Sequence, residues 1–270
     1  MAMISYAHNA EDVLLRRVFG DKSDGFYIDV GANDPVELSL TKHFYDLGWS
    51  GVDIDANPRF AAKLRRARPR DTVLNVGISD RRGTLNFHEF PPEWDGLSTF
   101  NETEAKRHLA EGRSYTLREV GTITLADVFR EHAARVVDFL SIDVEGHEAQ
   151  VLQGADFSIC RPILLVIEST RPLSSEATHG LWEKIVLDSG YLFATFDGLN
   201  RYYVRREDAH LISRLQVPAN VLDDFVPWRY EKRIRRMRSE LRYYRFAFRT
   251  PLKWWAALTG ALRGNPRRRG

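Results

Sequence analysis

The chain has 270 residues, 43% of them hydrophobic, which is enough to bury a sizeable core without a metal or disulfide staple. Its single cysteine, Cys160, excludes an intrachain disulfide framework and any Cys-rich zinc module, and favours a reducing compartment. The formal charge of +2 hides an asymmetry: residues 227–270 carry 14 Lys/Arg against 2 Asp/Glu, so an acidic body precedes a basic tail.

The N-terminal MAMISYAHNAEDVLLRR has no continuous apolar run and reads as neither a signal peptide nor a membrane span. The sequon at Asn101 would matter only in a secretory lumen and is read as chance. The residues FYIDVGAN (26–33) form a strand that ends in a small-residue turn, after which Pro35 opens a helix carrying Leu40, Phe44 and Leu47, with Gly48 as its stop. A second strand follows at 51–55, a helix from Asn57-Pro58 to about Arg66, and a third strand over 72–79. Between residues 83 and 123 the alternation lapses into a hairpin and an excursion around Pro91-Pro92 and Trp94. It resumes with a helix at 124–133, strand 137–143, a helix from about His147, strand 163–169 and a helix at 176–188. Two runs at 191–197 and 200–206 then form an antiparallel pair. Seven core strands with intervening helices imply an α/β fold with a mainly parallel sheet, and there is no internal repeat.

Open α/β sheets bind ligands beyond the C-terminal ends of their strands. The first such end offers Asp29, Gly31 and Asn33; Gly31 permits close backbone approach, and helix-terminal amides beyond it are placed to receive an anionic or carboxylate-bearing ligand. Asp55 ends the second strand 24 residues after Gly31, an offset at which a carboxylate commonly accepts hydrogen bonds from a ribose. With Asn at 33 and Val at 36 the dinucleotide fingerprint is absent, so close pyrophosphate approach is less well supported and an adenosine bearing an amino-acid group stays open, without the spacing naming the cofactor. Gly77, Ile78 and Ser79 end the third strand and can edge an adenine. The densest constellation is Asp143, Glu145, His147 and Glu148, where several ionisable groups after an apolar strand can tune a proton-transfer pKa; helix capping by the two glutamates is the competing reading. Glu168 closes the next strand, and with Asp143 it could share a hydroxyl, a water or a divalent metal, although a metal is not expected. In the 84–121 insertion, Trp94 and Ser98 are candidate substrate contacts, Trp94 by stacking on a sugar or by anchoring the excursion.

Taken together, FYIDVGANDP, TKHFYDLGW, GVDIDANP, ISDRRG and FLSIDVEGHEAQVLQG resemble the FkbM family of S-adenosylmethionine-dependent methyltransferases, over roughly residues 4–226. The resemblance implies a class I methyltransferase Rossmann-like fold, with a seven-stranded sheet in the order 3-2-1-4-5-7-6 and helices on both faces. It also implies methyl transfer to a hydroxyl, with glycan, lipid and polyketide modification among the family's associations. By position, Asp29, Gly31 and Asn33 would border the amino-acid end of the cofactor, Asp55 the ribose, and residues 77–79 the adenine. HNAEDV departs from the commoner QN-x-EDV pattern in having His8 at the Gln position. Methyl transfer needs alignment and an acceptor for the hydroxyl proton. Asp143 is expected nearest the hydroxyl, with His147 or Glu145 assisting and Glu168 as substrate clamp or metal ligand.

Residues 1–226 thus read as the methyltransferase domain and 227–270 as a basic helical extension with a frayed tail. In the extension Ile234, Met237, Leu241, Tyr244 and Phe248 make an apolar stripe beside Arg235, Arg238, Arg242, Arg245 and Arg249. Residues 231–255, with Trp254 and Trp255, can meet an anionic membrane surface, another copy of the chain, or the domain itself; nucleic acid is not expected as the primary partner. The expected protein is cytoplasmic, peripheral to the inner face of the membrane if it binds one. Its acceptor is a small hydroxylated metabolite, a sugar above all. An NAD-dependent nucleotide-sugar oxidoreductase and a noncatalytic methyltransferase-like adaptor are the alternatives.

Overall fold

The computed structural model describes residues 2–20 and 22–248, with side chains to 243; the expectations placed on Arg249, Trp254, Trp255, the frayed tail and the side chains of Tyr244, Arg245 and Phe248 lie outside them. The chain divides into one unit through Phe225 and a second from Val226. The first is built on a seven-stranded sheet whose strands are β1 (Phe26–Val30), β2 (Ser50–Ile54), β3 (Thr72–Leu74), β4 (Phe139–Ile142), β5 (Leu164–Glu168), β6 (Tyr191–Phe196) and β7 (Asn200–Arg205). Across the sheet they run β3-β2-β1-β4-β5-β7-β6. β1 to β5 are parallel, while β7 is antiparallel to both β5 and β6.

The sheet is buried on both faces, so its strands read as nearly continuous apolar runs. Alternation still sorts them: Ile28, Val30, Leu140, Ile142, Leu165 and Ile167 join one core with Val128, Phe129 and Val151 of the helices. Tyr27, Phe139, Leu164 and Val166 join the other, with Leu14, Leu15 and Val18 of helix α1 (Glu11–Phe19), Phe44 of α2 (Lys42–Asp46) and Trp49.

The same period sends Asp29 and Asp53 to the second face, where they are register partners in adjacent strands and both buried. Two carboxylates so placed need a cation. Arg68, just beyond α3 (Pro58–Ala67) and 1% exposed, supplies it. Its guanidinium donates to Asp53 Oδ1 (3.3 Å), Ser39 Oγ (2.6 Å), the Pro35 carbonyl (2.8 Å) and Thr41 Oγ1, and Thr41 Oγ1 donates onward to Asp29 Oδ2 (3.2 Å). Burial pushes Asp53 well above the usual carboxylate range, and Arg68 opposes that rise.

Three sequence expectations are corrected. Pro35 opens no helix: Asp34 Oδ1 accepts from the Val36 and Glu37 amides (3.0 and 3.1 Å), Leu38 takes a positive φ of 58°, and the helix begins only at Lys42 because Arg68 holds residues 35–41 as a loop. The strand expected over 72–79 is two, because the Asn75 amide donates to the carbonyls of Asp55 and Ala56 (2.8 and 3.1 Å) and turns the chain out of the main sheet. Gly77–Ile78 then pairs with Thr116–Ile123, which also pairs with Gly83–Glu89, in a separate three-stranded sheet. The 84–121 segment is therefore this hairpin carrying α4 (Glu102–Ala110). The helix expected over 176–188 is shorter, a 3-10 turn at His179–Leu181 followed by Glu183–Asp188, because Thr170 and Ala177 bridge and hold the preceding residues as a loop.

Removing one partner from a buried ionic cluster strands the others in low dielectric. Arg68→Met is expected to destabilise the protein by about 3–5 kcal/mol, measured by urea unfolding.

Candidate active site

At the C-terminal ends of β1, β2 and β4 lies a cavity of about 340 Å³, within the range of small-molecule sites. Gly31 makes its floor possible. At φ +91° a Cβ there would lie 1.8 Å from the Asp143 carbonyl oxygen, so the ends of β1 and β4 converge only because the residue is glycine. The amides of the turn after Gly31 are engaged within the protein. The Gly31 and Ala32 amides both donate to the Ile54 carbonyl (2.9 and 3.1 Å), the Asn33 amide donates to Asp55 Oδ2 (2.8 Å), and no helix follows directly.

Of the sequence-derived candidates, Asp29, Gly31, Asn33, Asp55, Gly77, Ile78, Trp94, Ser98, Asp143 and Glu145 all line this one cavity. Asp55 is fastened by the Asn33 amide and by that of Asn57 on its other oxygen (2.7 Å), leaving lone pairs for a further donor. Ser98 Oγ accepts from the Phe90 amide (3.1 Å). Trp94 stands 44% exposed on the rim, with the Arg113 guanidinium 4.6 Å from its ring centroid, so it is not a core anchor.

Ser79, His147 and Glu168 do not line the cavity. His147 Nε2 meets Ser79 Oγ at 3.2 Å and its ring packs on Phe100 (5.5 Å), so it backs the wall instead of facing a ligand. Burial lowers its pKa to about 4, which leaves it uncharged at neutral pH. Glu148 is also structural: Oε1 accepts the Val144 and Gly146 amides (3.2 and 3.0 Å), shaping the turn that puts Glu145 at φ 55°. Glu168 is buried behind Asp143 and hydrogen-bonded to it, whereas Asp143 is exposed. Burial and the neighbouring charge push Glu168 well up, so it keeps the proton and donates it to the Asp143 carboxylate. Among the described residues no group of three or more His, Cys, Asp or Glu is arranged to hold a metal ion.

Sequence reasoning overlooked Glu11, Asn200 and the apolar walls Phe60, Phe87, Leu97 and Phe100. Glu11 Oε2 accepts the Asn9 amide (2.7 Å) and Oε1 accepts from Asn200 Nδ2 (2.8 Å). The available signal was the polar HNAED and DGLN strings, whose chemistry is unexplained by a surface helix and a hairpin turn.

The lining contains Glu11, Asp29, Asp55, Glu93, Asp95, Asp143 and Glu145 and no Lys or Arg. Asp95 is paired with Arg59 outside the lining. Burial raises Asp29 and Asp55 to about 6 and Glu11 to about 8. Burial thus opposes ionisation of these carboxyl groups, and a nearby positive charge would favour it.

A mainly parallel sheet with its cavity at this edge has the architecture of a class I methyltransferase. Residues 29–193, more than half the chain, match the Methyltransferase FkbM domain, and the protein belongs to that family of methyltransferases. No curated protein sequence matches the chain significantly. Solved structures similar to it include magnesium protoporphyrin IX methyltransferase from Synechocystis PCC 6803 with bound SAM (12% identity, TM-score 0.40, covering 72% of this chain and 77% of that one). A putative methyltransferase from Thermobifida fusca YX has 13% identity and a TM-score of 0.38, covering 76% and 84%. The fibrillarin pre-rRNA processing protein of Methanococcus jannaschii has 10% identity and a TM-score of 0.37, covering 69% and 68%.

For an acid whose folded pKa is raised, the folded state holds a proton that the unfolded state releases. The stability it contributes is full below the ordinary carboxylate range and is lost as pH rises through the folded value. With Asp29 and Asp55 at about 6, Glu148 at about 7 and Glu11 at about 8, unfolding free energy of the ligand-free protein is expected to fall from pH 5 to pH 8. The slope should be on the order of 1.4 kcal/mol per pH unit for each retained proton, read from urea titrations across that range.

Proposed function

We propose that the cavity binds S-adenosylmethionine and that the protein transfers its methyl group to a hydroxyl of a small uncharged metabolite, a sugar in the first instance. The observation that carries this reading is the acidic, Lys- and Arg-free lining. S-adenosylmethionine sets a sulfonium and an α-ammonium against one carboxylate, so its net positive charge would relieve the buried acids, whereas a dinucleotide pyrophosphate would add two negative charges with no Lys or Arg in the lining to meet them. That disfavours the nicotinamide alternative.

The residues present fit such a ligand. Asp29 and the turn at Gly31 and Asn33 would meet its amino-acid end, and the free lone pairs of Asp55 its ribose hydroxyls. Gly77 and Ile78, with Phe60 and Phe87, offer apolar walls for the adenine. When bound, the sulfonium supplies an already electrophilic methyl group. The protein's task is then alignment. Asp143 lines the cavity; burial raises its pKa, which the hydrogen bond from Glu168 opposes, and its carboxyl would accept a hydrogen bond from the acceptor hydroxyl and hold that oxygen toward the methyl carbon. Trp94 presents the ring face not covered by Arg113 at the rim, where a sugar can stack.

Calorimetry is expected to give saturable S-adenosylhomocysteine binding and none of NADH; the reverse result defeats the reading. Asp143→Asn should keep that affinity within about threefold while lowering turnover with uncharged methyl glycosides by about 10²-fold or more.

The second unit supports a separate contact. Its helix α5 (Trp228–Phe248) leaves Met237, Leu241 and Tyr243 exposed among arginines, a pattern suited to an anionic lipid surface. Among the described residues no helix is long and apolar enough to cross a membrane. Co-sedimentation with phosphatidylglycerol vesicles, weakened by salt and abolished by replacing Arg235, Arg238 and Arg242 with Glu, is the expected outcome; a salt-insensitive dimer instead would assign the helix to self-association.

A further inference from the structure

Two of the groups placed near the acceptor by the sequence are not free to take its proton. His147 is turned away and Glu168 already holds a proton of its own. One further imidazole lines the cavity, that of His8.

The chain around His8 is pinned on both flanks. Before it, the Tyr6 and Ala7 amides donate to Asp12 Oδ2 (2.7 and 3.4 Å), the Ser5 hydroxyl donates to Asp12 Oδ1 (2.7 Å), and Ala7 bridges Leu38. After it, the Asn9 amide donates to Glu11 Oε2 (2.7 Å), Asn9 Nδ2 donates to the Asp197 carbonyl (3.2 Å), and Ala10 takes a left-handed φ of 63° to enter α1. Asp12 and Glu11 are both buried, so the loop is held by interior carboxylates reaching its backbone and not by surface contacts. Yet the imidazole that this scaffold carries makes no hydrogen bond or ion pair with any described residue. It is exposed, lines the cavity and lies near enough to Asp143 to interact with its carboxyl group. A rigid backbone presenting an unengaged imidazole to a cavity is what a group meant for a ligand requires.

We propose that His8 is the general base of the methyl transfer, taking the proton of the acceptor hydroxyl that Asp143 orients. The acceptor oxygen forms the new C–O bond as the C–S bond breaks, and the electron pair of that bond stays on sulfur, giving a neutral thioether. The O–H proton passes to an imidazole nitrogen, and the imidazolium so formed is stabilised by the Asp143 carboxylate. It then loses the proton to solvent at the rim, where His8 is exposed. The inference rests on the methyltransferase reading above.

The test compares the unaltered protein with His8→Gln and His8→Ala, using methyl rhamnoside, methyl mannoside and methyl galactoside as acceptors. Both variants should bind S-adenosylhomocysteine as the unaltered protein does. Turnover should fall about 10²–10⁴-fold in kcat with little change in acceptor KM, and added imidazole should restore part of it to His8→Ala. Independently of any acceptor, diethyl pyrocarbonate should carbethoxylate His8 in the free protein and do so markedly more slowly with S-adenosylmethionine bound, read by mass spectrometry of the His8 peptide. A His8→Gln protein within twofold of normal kcat, or His8 carbethoxylation unaffected by S-adenosylmethionine, overturns the proposal while leaving the methyltransferase reading intact. No binding of S-adenosylhomocysteine to the unaltered protein overturns both.

Discussion

The ionic cluster centred on Arg68 is the constraint from which the rest of the site follows. Strand periodicity forces Asp29 and Asp53 to the same buried face, in register on neighbouring strands. Without a cation both would remain protonated or the sheet would open. Arg68 satisfies them while its other donors capture Ser39, Thr41 and the Pro35 carbonyl, so the charge compensation also ties residues 35–41 to the sheet. That loop brings Leu38 and Leu40 to the cavity and supports the Ala7 bridge beside His8. One buried guanidinium thus positions two walls of the site, and its cost in desolvation is offset by five polar partners at once, the Asp71 carboxylate at 4.0 Å being the most distant.

Most acids of the cavity have less compensation: Asp29 is reached by Arg68 and Asp95 is paired with Arg59, while Asp55, Glu11, Asp143 and Glu145 have pKa values raised, in each case chiefly by burial. Glu11, raised to about 8, keeps its proton at neutral pH, and a cation bound beside it would favour release of that proton. A site of this kind gives up some stability near neutral pH in return for selectivity by charge sign. On the proposed reading, molecules with a net negative charge would be disfavoured at the entrance, while a nucleoside of net positive charge and an uncharged acceptor could enter together.

Much of this was legible in the sequence, because a parallel sheet buried on both faces writes its strands as short apolar runs and its site as the residues that end them. FYIDVGAN and GVDID placed Asp29, Gly31 and Asp55, and FLSIDVEG placed Asp143, all at strand ends that converge. What could not be read were the events set by distant side chains. Asn75 ends the third strand early by bonding back to the carbonyls of Asp55 and Ala56, and Arg68 keeps residues 35–41 from becoming helical despite their apolar spacing. Neither interaction leaves a local periodicity.

The same limit explains the two histidines. His147 sits among acids in the sequence and so reads as part of a catalytic cluster, but chain proximity after a strand says little about direction. The turn shaped by Glu148 points its ring back toward Ser79 and Phe100. His8 lies 135 residues before Asp143 in the chain, in a segment with no apolar pattern of its own, and only the folding of α1 against the second face of the sheet brings it to the cavity. Its neighbours Glu11 and Asp12 are the informative residues. Acids at the first turn of a helix usually face solvent and the helix dipole, whereas here both are buried and spend their oxygens on the backbone amides and the Ser5 and Asn200 side chains around one loop. Burying two carboxylates to fix a loop is costly unless the residue that loop presents has work to do, and His8 is the residue it presents.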